Sequence, residues 1–408
     1  MKKVVILGAG IYQVPLIRAA KNAGLYTIVS SIPGDWPGFA EADQIYCVNT
    51  TDKEGILQIA REEKIDGICT TGTDVAAATI GYVNEKLGLH GLSEASAART
   101  SDKTIMQETF HRGNVSSAAY IRADSPQEAM EAAEKIGYPV VVKCVDSSGS
   151  RGITAVHRPE DIEQAFAEAL AHSRKDYVIV EEKLAGVEIG VDGLIQDSKL
   201  VFLAPHHKIV CKRFNKTITA GHSFPYHGSD ALLAEIEKQI RTAIEAMGFD
   251  NSAFNSDAFV DGDHVSIIEI GGRAGATCIP ELITHCFGFN YYEQILRLAF
   301  GQPVELPGEK ATVPCMAKLI MSPVDGFITK LDREGFEELR RDGVDLSMDF
   351  AIGHAVDSMI NGSQRIGQFI VPTQDEEELN LIERRVNRCI YVNGKTLDEL
   401  WQQEELQK

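Results

Sequence analysis

Residues 3 to 30 put the strongest limit on the fold. Lys3 to Leu7 is a short apolar run, Gly8-Ala9-Gly10 a turn, Tyr12 to Ala23 an amphipathic stretch and Tyr26 to Ser30 a second apolar run. A strand, a turn, a helix and a strand in that order point to a doubly wound sheet. A dinucleotide site would need a third glycine where Gln13 stands, and an acidic residue where the second strand ends in Ser30-Ser31. The glycines are therefore read as geometric. The alternation continues through strands at Gln44 to Val48 and Gly67 to Thr70 and helices from Lys53 and from Val75 to Leu87. It breaks at Gly88-Leu89-His90-Gly91-Leu92, which places a first boundary near residue 95.

A second constraint is the stretch Val140 to Ile153, VVVKCVDSSGSRGI. A β-branched strand carries Lys143 and runs into a Ser/Gly turn. Such a turn can lay backbone N–H groups along a phosphate chain while the lysine supplies a point charge. A tight surface hairpin reads equally well from these residues alone. Around it, Ala95 to Arg112 is expected to be one helix carrying Lys103. Pro126 to Ile136 and Pro159 to His172 are expected helices, and Tyr177 to Val180 a strand. Together these make a small α+β unit with the look of a lid. Further on, Phe254 to Phe259 and His264 to Ile270 form a strand pair around Asp261-Gly262-Asp263. Antiparallel pairing can bring Asp257 and Glu269 to one face, within reach of a shared hard cation. Glu269 lies between Ile268 and Ile270, and burying it alone would be costly, so a cation is favoured there. Gly271-Gly272-Arg273 then sets a guanidinium beside the carboxylates, suited to phosphate or carboxylate.

A chain of 408 residues is too long for one ordinary core. Its net charge of −19 argues against a nucleic-acid partner, which needs a positive footprint. The eight cysteines show no metal-ligand spacing and read as free thiols of a reducing compartment. The opening MKKVVILGAG is no signal peptide and no uncharged run reaches membrane length, so a cytoplasmic protein with no membrane partner is expected. From Glu305 onward, short strands alternate with charged helices. The acidic, glutamine-rich tail is expected to be solvated.

In order and spacing these features resemble the ATP-grasp carboxylate–amine ligases over nearly the whole chain, closest in appearance to the L-amino acid ligase branch. More distantly the chain is similar to N5-carboxyaminoimidazole ribonucleotide synthetase and formate-dependent glycinamide ribonucleotide transformylase. ILGAGIYQVPLIRAAKNAGL looks like their pre-ATP-grasp opening, EKLGLHGLSEASAARTSDKTIMQETF like the start of the ATP-grasp unit, and SQRIGQFIVPTQDEEE like that branch's C-terminal domain. The resemblance implies an α/β and α+β chain with a Rossmann-like pre-ATP-grasp domain at 1–95, an ATP-grasp domain at 96–304 with a mobile lid at about 115–183, and a C-terminal domain at 305–408. It implies ATP and magnesium as cofactors, with manganese able to substitute, and small-molecule carboxylate and amine substrates. A homodimer is the default for a soluble enzyme.

Position by position, the resemblance assigns Lys103 and Lys143 to the ATP phosphates, under a loop that includes Ser148, Gly149, Ser150 and Gly152. Glu181, Glu182 and Leu184 would meet adenine, and Glu188 the ribose. Lys212 would stand near the γ-phosphate, Asp257 and Glu269 would hold the metal, and Arg273 would steady the acyl phosphate. The chain departs from the family pattern at Gly271, where asparagine is frequent, at Asp257, where glutamate is commoner, and at Thr219, where glutamate often precedes the Gly-His pair. The expected function is an ATP-dependent ligase forming an amide through an acyl phosphate on an amino acid or similar substrate. The alternatives are a purine-pathway enzyme acting on a ribonucleotide, and a nucleotide-binding regulator without turnover. The ribonucleotide reading calls for a basic pocket in the N-terminal domain, and Gly34-Asp35-Trp36-Pro37 there contains no cation.

Overall fold

The structure is a computed structural model that describes residues 1–408 except Ser148, Ser150, Phe214, Asn215, Glu309, Lys310, Ala311, Asn361, Gln407 and Lys408. Two compact units are present, each discontinuous in sequence. The first comprises Met1–Pro205, His227–Gly275 and Tyr292–Glu305, the second His206–Tyr226, Ala276–Tyr291 and Leu306–Lys408.

The first unit opens with a four-stranded parallel sheet in the order Gln44–Tyr46, Tyr26–Ser30, Lys3–Leu7, Gly67–Cys69. Val5, Leu7, Ile28 and Ile68 pack on Ile56, Ile59, Ile80 and Val83 of the helices. The Gly8 turn is filled by Gln13: its Oε1 accepts from Gly10 N at 2.9 Å and its Nε2 donates to Thr71 O at 2.5 Å. A Cβ on Gly8, which sits at φ +96°, would come within 2.9 Å of the Gln13 oxygen. That position therefore needs glycine.

The single helix expected over Ala95 to Arg112 is two, Glu94–Thr100 and Lys103–Arg112. Asp102 adopts an extended backbone between them, and its carboxylate accepts from Thr104 N at 2.8 Å and Ile105 N at 3.3 Å. An Asp at an N-cap outcompetes helical continuation because it satisfies amides that would otherwise be orphaned. The cap places Lys103 in the first turn of the new helix.

The lid-like part is a four-stranded antiparallel sheet in the order Tyr120–Ala123, Val178–Glu182, Val140–Cys144, Ile153–Val156. Helices Pro126–Ile136 and Ile162–Ala171 cover one face, where Ala129, Ala133, Phe166 and Ala169 meet Val140, Val142, Cys144, Val178 and Val180. Side chains alternate along a strand, so Lys143 and Glu181 are turned to the opposite face. A separate antiparallel array sets Ser252–Asp261 between His264–Gly271 and Val187–Gln196.

In the second unit, the C-terminal part of Lys199–Arg213 pairs with Lys216–Phe224, followed by Cys315–Met321, Arg365–Val371 and Asp345–Met348. Helices Arg333–Arg341 and Glu376–Arg388 close its core through Phe336, Leu339, Leu379 and Val386. The tail expected to be solvated instead forms the helix Leu397–Glu405, started by a capping box between Thr396 and Glu399. Glu404 pairs with Arg213 at 2.9 Å, and Trp401 Nε1 donates to Met321 O at 3.3 Å. The buried Arg213 needs that counter-charge, and tail composition does not reveal it. Among the described residues no helix is long and apolar enough to cross a membrane.

Candidate active site

The first unit gathers the charged side chains singled out in the sequence into two groups. On the inner face of the lid sheet, Lys143 and Glu181 form an ion pair with side chains only 12% and 4% exposed. Val141 stands opposite Glu181 in the register, so the pair is a diagonal contact across neighbouring strands. Gln107 Nε2, from the helix that begins at Lys103, donates to the other Glu181 oxygen at 3.3 Å. Glu181 is therefore held by a lysine and an amide.

Lys103 forms the second group. Its ammonium donates to Ser147 O at 3.1 Å, at the start of the Ser/Gly turn, and lies 3.1 Å from Glu269 Oε2. Burial pulls the Lys103 ammonium down, but Glu269, helped by Asp74, more than offsets this and holds it above the ordinary lysine value. Glu269 stands directly opposite Asp257 in the hairpin register, beside a bulge after Asp257. Glu269, expected from its apolar neighbours to be buried, has a side chain that is 42% exposed. Twist and the bulge turn the end of that strand outward, so one oxygen reaches Lys103 while the carboxylate faces solvent. Two opposed carboxylates suit a magnesium ion that keeps several waters and takes phosphate oxygens in the rest of its shell. Among the described residues there is no cluster of three or more His, Cys, Asp or Glu side chains that could hold a metal ion.

The remaining positions are spread around these groups. Gly149 has φ +70° and Gly152 φ +62°; Gly152 O accepts from Cys144 N at 2.8 Å, which ties the turn back to the strand. Ser148 and Ser150 lie outside the described residues. Glu182 is exposed, its backbone N–H donating to Ala119 O at 2.8 Å, and Leu184 is half-buried. Glu188 is exposed and stands opposite Phe259. Lys212 belongs to the second unit, exposed and opposite Thr217. In that unit the Gly-His pair ends in a buried His222, whose Nδ1 lies 3.1 Å from that of His206. Burial, then the neighbouring His206 and Lys208, push the His222 imidazole well below its usual value, so it is neutral.

Residues 113–256 match the D-ala D-ala ligase C-terminus family. The formate-dependent phosphoribosylglycinamide formyltransferase of Synechococcus sp. (strain WH7803) is 26% identical over 346 residues, covering 82% of this chain and 85% of that protein. Among solved structures, phosphoribosylglycinamide synthetase from Anaerococcus prevotii superposes with TM-score 0.80 at 26% identity, over 97% of this chain and 100% of that one. The L-amino acid ligase from Bacillus licheniformis gives TM-score 0.78 at 18% identity, over 97% and 99%. The chain belongs to the ATP-grasp ligase superfamily. It is an ATP-dependent enzyme.

Three side chains of this ATP-grasp enzyme escaped the sequence reading. Asp74, after the strand Gly67–Cys69, pairs with Arg273 at 2.5 Å. Asn255 accepts from Arg273 Nη1 at 3.0 Å and donates to Asp192 Oδ2 at 2.9 Å, and Asp192 Oδ1 accepts from Gly275 N at 3.1 Å. Burial lowers the Arg273 pKa, and Asp74, helped by Asp192 and Glu269, more than offsets this, so the guanidinium is charged throughout. Asp192 alternates with Glu188 and Gly190 along its strand, a pattern that reads as a solvent face although Asp192 is fully buried, and Asp74 lies in a loop with no pattern to mark it.

Proposed function

We propose that this chain is an ATP- and magnesium-dependent carboxylate–amine ligase that activates a small carboxylate and passes its acyl group to an amine on a ribonucleotide such as phosphoribosylglycinamide. The observation that carries the reaction type is the convergence of Lys103, Asp257, Glu269 and Arg273 in one unit, with the Ser147 carbonyl of the Ser/Gly turn drawn onto Lys103. In the first step a substrate carboxylate oxygen attacks the γ-phosphorus, the bond to the ADP oxygen breaks, and an acyl phosphate forms. In the second, the amine attacks the acyl carbon, phosphate leaves and the amine loses a proton. Charge accumulates on phosphoryl oxygens in the first step, and fixed cations there act electrostatically with no side-chain nucleophile required.

Lys103 and Lys143 would meet phosphates, with the turn at 147–152 as the moving edge of a lid at about 115–183 within an ATP-grasp part at 96–304. Asp257 and Glu269 would hold magnesium, which when bound neutralises β- and γ-phosphate oxygens. The hinge at Glu181, Glu182 and Leu184 would take adenine and Glu188 the ribose. Arg273 would steady the acyl phosphate. Excluding water matters because the acyl phosphate hydrolyses.

The acceptor is argued from the relatives. The amino-acid ligase resembles this chain in fold at 18% identity, whereas the formyltransferase aligns over most of both sequences. This favours the ribonucleotide alternative over the amino acid first expected. The amino-acid reading keeps one point: Gly34–Pro37 still offers no cation to a ribose phosphate, and Trp36 Nε1 there donates to Ile32 O at 2.9 Å. Incubation with ATP and magnesium should release ADP when formate is present, and sustained turnover should require phosphoribosylglycinamide or another amine that takes the acyl group. ADP release that requires a pair of amino acids instead would restore the amino-acid reading. Release independent of any carboxylate or amine would defeat both.

A further inference from the structure

We propose that Asp74 is a positioning residue for Arg273: a carboxylate from the loop after the parallel sheet fixes the guanidinium in its working orientation. The proposal rests on the reading of Arg273 as the group that steadies the acyl phosphate. Arg273 carries five N–H donors in a rigid fork. Nη1 is engaged by Asn255 Oδ1 at 3.0 Å and Ala274 O at 3.3 Å, and Nη2 by Asp74 Oδ1 at 2.5 Å. Nε is buried and has no partner among the described residues. Arg273 lines a cavity of about 40 Å³ together with Asn84 and Ser252, whose Oδ1 and Oγ are also without a partner among the described residues. The Nε edge therefore has no protein acceptor to hold it. Contacts at Nη1 alone would let the plane pivot, and Asp74 supplies the second fixed point.

Asp74 is itself placed by backbone pairing. Thr71 bridges Ala274, and Gly72 N donates to Ala274 O at 3.1 Å. Gln13 and Tyr12 hold Thr71 in turn, through its carbonyl at 2.5 Å and its hydroxyl at 2.8 Å. The loop is thus locked beside residues 272–275 before any ligand binds. Gly271 belongs to the same arrangement: a Cβ there would lie 3.1 Å from Asp74 Oδ1. The absence of a side chain at 271 leaves room for this carboxylate. Asp192 hydrogen-bonds Asn255 and Gly275, and it and Glu269 act on Arg273 through charge, more weakly than Asp74. Asp74 is the direct counter-charge of a guanidinium only 14% exposed, a pairing whose loss leaves a charge stranded.

The test uses Asp74→Asn, Asp74→Glu, Arg273→Lys and the Asp74→Asn/Arg273→Lys double variant, with formate as carboxylate and hydroxylamine trapping the acyl phosphate as a hydroxamate. Asp74→Asn should lower kcat about 10–100-fold, the scale typical of groups that orient a primary ligand, with the KM values for ATP and hydroxylamine little changed. Asp74→Glu should recover part of the loss. In the Arg273→Lys background the Asp74→Asn change should add almost nothing, as expected of groups acting as a unit. Full additivity, or a raised amine KM at unchanged kcat, would overturn the proposal and make Asp74 a direct amine contact. A second readout is independent of turnover: in protein labelled with 15N-arginine, the Nε–H resonance absent from Arg273→Lys should shift and exchange faster in Asp74→Asn. An unmoved resonance would show that Asp74 does not fix the guanidinium. If the wild type makes no hydroxamate with any carboxylate, the ligase reading fails, and the resonance still decides the role of Asp74.

Discussion

Two lysine–carboxylate pairs stand in the first unit, one on the antiparallel sheet that carries Lys143 and one joining the Lys103 helix to the hairpin that carries Glu269. Lys143–Glu181 is closed, with both side chains nearly inaccessible and Gln107 on the second oxygen of Glu181. Lys103–Glu269 is open: the lysine is sheltered at 15% exposure, but the carboxylate is 42% exposed and faces Asp257. The difference teaches what each carboxylate can still do. The carboxylate of a closed pair has little left to offer a cation. An open one can exchange its lysine for a metal.

The largest effect that could break this contrast is on turnover. Glu269→Ala should reduce ADP release by about 100-fold or more even at high magnesium, because a hydrated ion held by two carboxylates loses half its protein ligands. Unchanged turnover in an ADP-coupled assay would move the metal elsewhere. Next comes stability. Lys143→Met strands a buried carboxylate and should cost about 3–5 kcal/mol in urea unfolding, while Lys143→Met with Glu181→Leu should recover much of it. Equal losses in single and double variants would show that the lid pair is not closed in solution. The smallest effect belongs to the open pair, where Lys103→Met should change stability by about 1 kcal/mol or less while activity falls far more.

The pH dependence of that last pair has a definite sign. The Lys103 pKa is raised in the folded state above its ordinary value of 10.5. Its contribution is therefore fully present below the unfolded value and is lost only as pH rises through the folded one. The stability difference between wild type and Lys103→Met should stay flat from pH 6 to 9, on denaturant midpoints, and shrink only in strongly alkaline solution. A change within the neutral range would mean that Lys103 does not sit between Glu269 and Ser147 O as described.

Several elements were legible in the chain because their signals are local. The strands Lys3–Leu7, Tyr26–Ser30 and Val140–Cys144 announce themselves as apolar runs bounded by turns, and the hairpin through Gly262 fixes the register that sets Asp257 opposite Glu269. The break at Asp102 was readable too, as an acidic N-cap, but helical spacing on both sides masked it. The tail helix was hidden because composition gave no sign of Thr396 capping it or of Arg213 waiting for Glu404.

By itself the sequence determined the order of the parts, which lysines and carboxylates are proposed for a nucleotide site, and the likeness to ATP-grasp enzymes. All of these depend on residue type and spacing along one strand, turn or hairpin. Only the tertiary structure decided how the charges are shared: Lys143 with Glu181, Lys103 with Glu269, and Arg273 with Asp74. Partners so far apart in sequence are chosen by strand register and by loops that meet in space. Coulomb energy and burial then act on those distances, which no spacing in the chain records.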